Sequence, residues 1–450
     1  MQKRSFKRVI LISILVLGVI LRLSLFYVNP PNNSFDDHIE VVNIYANTLK
    51  QPSPSQCWEC YQPPIYYVLS AATFKAITAM NLSSLIAWKF VQFINPFLSI
   101  LVLIFYYKLL LRFNISEIKR ILYMSFIAVL PIDLFTASMI GNDYLLVFAA
   151  VASFFYFLKN IDDIKNETKI SFKNFILLSF FVVIGALSKQ HGLILLTFPT
   201  IIILVLFVQK AKISSYKISL IYISLIILSF SNEFWKYEQT GKFLVSNQDF
   251  YDYAEGQFPG SLDKVEFTSF RIYSLFQNPF ISNQTSASLP TEIFARTFFD
   301  YEWRFLSPKI PVANIVGRIA YILGIFWILY FLSTFFLTLW QRKQLKFQIN
   351  MHNLLFYIPI IVGILFIAVP FLQTLRYPYF SSMKSTFALP GIIILLISHA
   401  FFIRRIKLSN TLIIILSFLN ISFGILLVYS IYSFLPITIN HLSGPLWPIP

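Results

Sequence analysis

FDDHIEVVNIYANTLKQPSPSQCWECYQPPIYY occupies residues 35–67, directly after the first long apolar run. It opens on adjacent carboxylates, Asp36 and Asp37, and closes on Gln62-Pro63-Pro64-Ile65-Tyr66-Tyr67. The chain around it is 57% hydrophobic and 12% charged, against about 25% charged in a soluble domain. So apolar a chain carries few acids, and two together just outside a membrane segment mark a candidate reaction centre.

Residues 9–28 and 411–432 are nearly free of charge, and each is long enough to cross a bilayer as a helix. The class is therefore all-α and polytopic, with residues 1–450 forming one membrane-embedded domain. The net charge of +16 does not point to nucleic acid. Lys and Arg fall in short runs between apolar segments, where the positive-inside bias puts them. The basic start MQKRSFKR precedes a long apolar run, and Tyr27-Val28-Asn29-Pro30-Pro31 makes a poor cleavage site, so a retained first helix is expected.

Charge parity orders the rest. Residues 29–88 form a first outer loop, followed by apolar stretches at 64–80, 89–111 and 121–138. Lys108, Arg112, Lys119 and Arg120 surround the turn between the last two, which assigns that turn to the cytoplasm. Only an odd number of crossings reaches it from outside. The stretch 64–80 is short, opens on two prolines and carries Lys75, so it is predicted to lie at the outer interface. The following runs, 144–158, 174–187, 193–208, 218–230, 312–340, 354–371, 387–403 and 411–432, then alternate, giving about 11 spans with the basic loops inside. Residues 232–311 form a long outer loop rich in aromatics, a candidate lid.

This topology gathers Asp36, Asp37, His38, Glu40, Glu59, Asp143, Lys189, His191, Arg376 and Lys384 on one face. A carboxylate there can take a proton from an attacking hydroxyl, and Lys or Arg can hold a phosphate leaving group. One essential acid with scattered cations fits inverting sugar transfer from a lipid phosphate better than glycoside hydrolysis, because phosphate leaves without a second acid. Each residue also has a structural reading. Asp36-Asp37 or Asp143 would serve as helix caps. Lys189 and His191 would snorkel at a helix end. Arg376 and Lys384 stand against the positive-inside trend. Paired carboxylates at Asp36 and Asp37 are compatible with a divalent metal, although nothing requires one. Cys57 and Cys60, the two cysteines of the chain, lack a second pair for zinc, and either a local disulfide or two buried thiols suits them. A transporter or flippase of a lipid-linked or anionic substrate is the main rival class. It would place its ionisable groups near the midplane in repeated, broken helices, and no repeat is visible here. A non-catalytic membrane scaffold of the same fold is the second rival, against which the intact Asp36-Asp37 pair stands.

The order of these motifs resembles the GT-C superfamily of polyprenyl-phosphate-sugar-dependent glycosyltransferases, in particular the protein O-mannosyltransferase and aminoarabinose-transferase types. The carriers are one span, an outer acidic pair, Gln62-Pro63-Pro64-Ile65-Tyr66-Tyr67, Asn142-Asp143-Tyr144-Leu145 and Ser188-Lys189-Gln190-His191-Gly192. Residues 1–206 carry the likeness, and 376–390 look like the family's late outer loop. Ser188 stands where the family has Thr, and Glu40 where it often has His. The family's soluble C-terminal domains and the Trp-Trp-Asp-Tyr-Gly motif have no counterpart here.

The resemblance implies a GT-C fold with juxtamembrane helices in the first outer loop. It implies transfer of one sugar from a polyprenyl-phosphate donor to a hydroxyl or amine acceptor, at the outer face of a bacterial inner membrane. Asp36 or Asp37 would be the general base, with Asp37 slightly preferred. Lys189, Arg376 and Lys384 would contact phosphate, Glu59 and Asp143 would orient sugar or acceptor, and His191 would join the substrate-binding set.

Overall fold

A computed structural model describes residues 2–167, 170–208, 216–251, 263–344, 351–405 and 409–442. Parts of the expected basic turns at 209–217 and 404–407, the 252–262 portion of the expected long outer loop and the chain beyond 442 lie outside these residues. The described residues contain helices and no strand. The first helix, α1 (Gln2–Val28), leads into α2 (His38–Thr48) and α3 (Ile65–Ala79), then α4 (Ser84–Arg112). The pair α5 (Glu117–Val129) and α6 (Pro131–Ala137) precedes α7 (Asp143–Glu167), α8 (Phe172–Ser188), α9 (Thr197–Val208) and α10 (Tyr216–Thr240). Three short helices follow, α11 (Lys264–Thr268), α12 (Ile272–Gln277) and α13 (Leu289–Phe298). Four more complete the order: α14 (Pro311–Gln344), α15 (Met351–Arg376), α16 (Leu389–Phe402) and α17 (Asn410–Leu442).

Nine helices among the described residues are long and apolar enough to cross a membrane, and the bent pair α5–α6 makes a tenth if it counts as one span. The chain is an integral, multi-pass membrane protein. The remaining expected span is α8, an apolar helix of 17 residues, about 26 Å long at 1.5 Å per residue. Within the bundle α7 is central, with 83% of its most apolar window buried, whereas α10 is peripheral at 28%. Exposed Phe and Leu on α10, α14 and α17 present an apolar surface suited to lipid.

The bend of 48° between α5 and α6 has an identifiable cause. Pro131 has no N–H, so Ile127 O loses its helical partner. Arg22 of α1 replaces it: Nη2 donates to Ile127 O at 3.2 Å and Nη1 to Ala128 O at 2.9 Å. The same guanidinium pairs with Asp133, whose other oxygen accepts from Tyr144 Oη at 2.5 Å. Arg22 and Asp133 are fully buried, and each satisfies the other's charge.

A second polar ladder sets the end of the bundle where α1 finishes and α4 begins. Lys89, Gln92 and Asn95 recur every three residues along one side of α4. Lys89 Nζ donates to Phe26 O and Asn29 O at 2.8 and 2.6 Å, and Gln92 Nε2 donates to Asn29 O and Ser138 O at 3.1 and 2.6 Å. Asn95 Nδ2 donates to Met139 O and Gly141 O at 2.7 and 2.8 Å. One helix face therefore fixes both the end of α1, from which Asp36 follows, and the turn that delivers Asp143.

The long segment expected as an outer loop begins later than the sequence suggests. Residues 232–240 continue α10, and the non-helical chain starts at Gly241. The polar residues that read as loop are satisfied within the helix, where Lys236 Nζ pairs with Glu233 at 2.8 Å, both side chains buried.

Candidate active site

Five separated segments meet at the end of the bundle where α1 and α8 finish and α7 and α16 begin. The first is 36–38. Asp37 caps α2, its Oδ1 accepting from Glu40 N at 3.2 Å, and it is exposed. Asp36 is mostly buried and its carboxylate is paired with the Lys384 ammonium. The structure thus separates two residues that are adjacent in the chain: one caps a helix and the other belongs to the cluster. Glu40, also exposed, lies outside the cluster on α2.

The second and third segments are Gly141-Asn142-Asp143 and Ser188-Lys189. Lys189 Nζ lies 2.5 Å from Asp143 Oδ1, and both side chains are buried. Asn142 holds the two turns together, with Nδ2 donating to Ser188 O at 2.8 Å and to Gln62 Oε1 at 3.2 Å. Gly192 makes the 188–192 turn possible, since a Cβ there would sit 2.0 Å from Gly185 O. Gly141 N donates to Tyr66 Oη at 3.0 Å. The three motifs legible in the sequence therefore share hydrogen bonds. Lys189 Nζ stands 4.7 Å from the Phe387 ring centroid, and the His191 ring packs on Phe387 at 5.4 Å. Nε2 of His191 is buried without a hydrogen-bond partner among the described residues.

His38 and Glu59 complete the cluster. His38 Nδ1 is 2.9 Å from Tyr67 Oη. Glu59 accepts from Gln62 Nε2 at 2.9 Å. Asp36, His38 and Glu59 each offer one ligand atom, all within 4.8 Å of one another. Among the described residues that trio is a set able to gather a divalent cation, although Lys384 already neutralises Asp36. Cys57 and Cys60 form a disulfide, with Cα atoms 5.0 Å apart.

The charges push one another apart. Burial alone would raise the Asp36 carboxyl, but Lys384, His38 and Lys189 outweigh it and hold the group at about 2. Glu59 goes the other way. Burial and the negative charge of Asp36 push it up to about 8, against the pull of Lys384, Gln62 and Lys189. Burial lowers His38 to about 4, with Lys189 and Lys384 adding to the effect and Asp36 opposing it. At neutral pH the cluster thus presents an ionised Asp36, a protonated Glu59 and a neutral imidazole.

Arg376 is engaged elsewhere. It donates to Leu244 O at 2.9 Å, pairs with Asp249 at 3.4 Å and stacks on Tyr377, fastening the segment after α10. Arg296, which nothing in its sequence neighbourhood singles out, lines a small cleft together with Lys384, Tyr301, Ser385 and Thr386. It is neutralised by Glu292 and Glu302. Glu302 also pairs with Arg304 at 3.3 Å, a local ion pair. Behind α13 an apolar groove of about 610 Å³ runs between α14, α15 and α16. Helix α13 borders both: Ile293, Phe294 and Thr297 line the groove, and Arg296 lines the cleft.

No family model and no curated protein matches the chain. Among solved structures it is similar to the archaeal oligosaccharyltransferase AglB from Archaeoglobus fulgidus, in complex with an inhibitory peptide and a dolichol-phosphate. The identity is 15% and the TM-score 0.46, covering 97% of this chain and 56% of that one. It is also similar to ArnT from Cupriavidus metallidurans bound to undecaprenyl phosphate, at 10% identity and TM-score 0.37, covering 87% and 77%. A further likeness is to the Archaeoglobus fulgidus oligosaccharyltransferase tethered with an acceptor peptide, at 12% identity and TM-score 0.40, covering 95% and 55%. The chain spans little more than half the length of the two oligosaccharyltransferase structures.

Proposed function

We propose that this chain is a GT-C membrane glycosyltransferase. It moves one sugar, with inversion, from a polyprenyl-phosphate carrier to a hydroxyl or amine of a lipid, glycan or protein on the outer face of a bacterial inner membrane. The observation that carries this reading is the meeting of two carboxylate–ammonium pairs, Asp36–Lys384 and Asp143–Lys189, beside a cleft that shares α13 with a large apolar groove. Such a groove suits a polyprenyl tail, and the cations suit its phosphate.

Asp36 is the general base. Before donor binds, Lys384 keeps it a weak one. A lipid phosphate competes for that ammonium, and as Lys384 turns to the phosphate, the Asp36 carboxylate gains basicity toward the acceptor proton. Lys189 offsets the second charge of the departing phosphate. Glu59, protonated, and Asp143 orient the sugar or the acceptor. His191 borders this space through Phe387. The described parts of the segment after α10, residues 241–251 and 263–310, close over the donor.

The test is turnover by the purified full chain in lipid nanodiscs, supplied with a panel of undecaprenyl-phosphate-linked sugars, reading release of undecaprenyl phosphate. Release by the parent and a loss of about 10²-fold or more in Asp36→Asn is the expected result. Equal rates in parent and variant would remove the proposed base.

A further inference from the structure

Glu59 reaches the cluster from an unusual position. Residues 49–64 join α2 to α3 with no helix of their own. The backbone hydrogen bonds within this connection are single turns: Gln56 N to Ser53 O at 3.0 Å, Cys60 N to Cys57 O at 3.1 Å and Gln62 N to Glu59 O at 3.1 Å. Cys57 and Cys60 are joined covalently, so Trp58 and Glu59 are the two residues enclosed by the ring. Both cysteines are buried in the main core. Trp58 packs against Tyr251 with ring centroids 5.7 Å apart, while Glu59 sits with Gln62, Asp36 and His38.

A disulfide that spans so few residues does little to restrict the unfolded chain, because that effect grows with the length of the closed loop. What it does restrict is the local direction of the two side chains it encloses. The surrounding segment has too few backbone bonds to do this by itself.

We propose that the Cys57–Cys60 disulfide is the positioning device for Glu59, and that opening it withdraws the Glu59 carboxyl from Asp36 and His38 and slows transfer. The proposal rests on the transferase reading above. Opening takes two electrons and two protons: a dithiol reductant gives them up, closing to its own disulfide, while the S–S bond breaks into two thiols. Activity of the site is thereby tied to an oxidising outer compartment.

Two cysteines in the whole chain give a reductant one target. The full chain in nanodiscs is compared before and after dithiothreitol, with Cys57→Ala/Cys60→Ala as a reductant-free equivalent and Glu59→Gln as the control. The first readout does not depend on turnover: modification of Glu59 by a water-soluble carbodiimide and an amine, followed by mass spectrometry. Protection in the oxidised chain and at least a several-fold rise on reduction support the proposal, whether or not any donor is turned over. Equal modification in both states overturns it, even in a protein that transfers sugar. The second readout is transfer. Reduction should slow the parent about 10-fold and leave Glu59→Gln at its own lower rate. Slowing of both by the same factor would make the disulfide a general brace of the fold and would overturn the proposal. A chain that releases no polyprenyl phosphate from any donor, yet exposes Glu59 on reduction, refutes the transferase reading and keeps the positioning.

Discussion

Lys384 and Asp36 are 348 residues apart in the chain and joined by an ion pair in the fold. One end of that pair follows α1 and the other precedes α16, so the contact exists only once the bundle is closed. It distinguishes Asp36 from its neighbour. Asp36→Asn should cost about 10²-fold or more in transfer with little change in thermal stability. Asp37→Asn should transfer within a few-fold of the parent, because Asn caps a helix about as well as Asp. Parallel rate and melting measurements on the two variants check this, and the reverse pattern would return the role of base to Asp37.

The cations divide in the same way. Neutralising Lys384 or Lys189 with Gln should raise the donor concentration needed for half-maximal transfer by about 10-fold, the scale of one lost charge-assisted contact. Arg376→Gln should leave donor dependence within about 2-fold and instead speed proteolysis in the segment after α10, since its contacts are with Leu244 O and Asp249. Donor titrations for all three variants, with limited proteolysis of the third, separate the roles.

Protonation sets the pH range. Glu59 holds its proton up to about 8 in the folded chain. Its folded value lies above the unfolded one, so its contribution to stability is complete below about pH 4 and lost as pH rises through about 8. Above that pH a second negative charge appears beside Asp36 and repels the phosphate. Transfer at limiting donor should fall with an alkaline limb near pH 8, and Glu59→Gln should lack that limb. His38 runs oppositely. Its folded value of about 4 lies below that of a free imidazole, so the unfolded chain takes the proton first. Stability should fall as pH drops from about 6.5 toward 4, as melting temperatures across that range would show.

Within the bundle, Arg22→Met should destabilise by about 3–5 kcal/mol, because it leaves Asp133 buried without its cation and Ile127 O and Ala128 O without donors. The double variant Arg22→Met/Asp133→Leu should recover a substantial part of that loss. Thermal unfolding in one detergent for the parent, the single variants Arg22→Met and Asp133→Leu, and the double variant gives the coupling. Additive losses would mean the two residues act independently.

By itself the sequence determined the class of this protein and which polar motifs would share one end of the bundle. Length, apolarity and the run of Lys and Arg between segments are properties of short windows, and the bilayer acts on each window separately. The expected spans therefore correspond to helices, with α5–α6 broken at Pro131, a residue that announces the break. The motifs around Asp36, Gln62, Asp143 and Lys189 were legible for the same reason, since each is a local cluster of polar residues at a helix end. Tertiary structure decided which polar groups are partners. Asp36 and Asp37 have the same chemistry and adjacent positions, and only the arrival of Lys384 tells them apart. Arg376 stands on the side where cations drew attention, yet Asp249 and Leu244 O take it first. Glu233 and Lys236 read as loop residues and pair inside α10. Arg296 carries no local signal and acquires its place from α13 packing between the groove and the cleft. A side chain's partner depends on what lies within about 4 Å of it; for Asp36 and Arg376 that is chain from distant parts of the sequence, brought there by helix packing, whereas Glu233 and Lys236 meet because α10 runs further than its polar residues suggest.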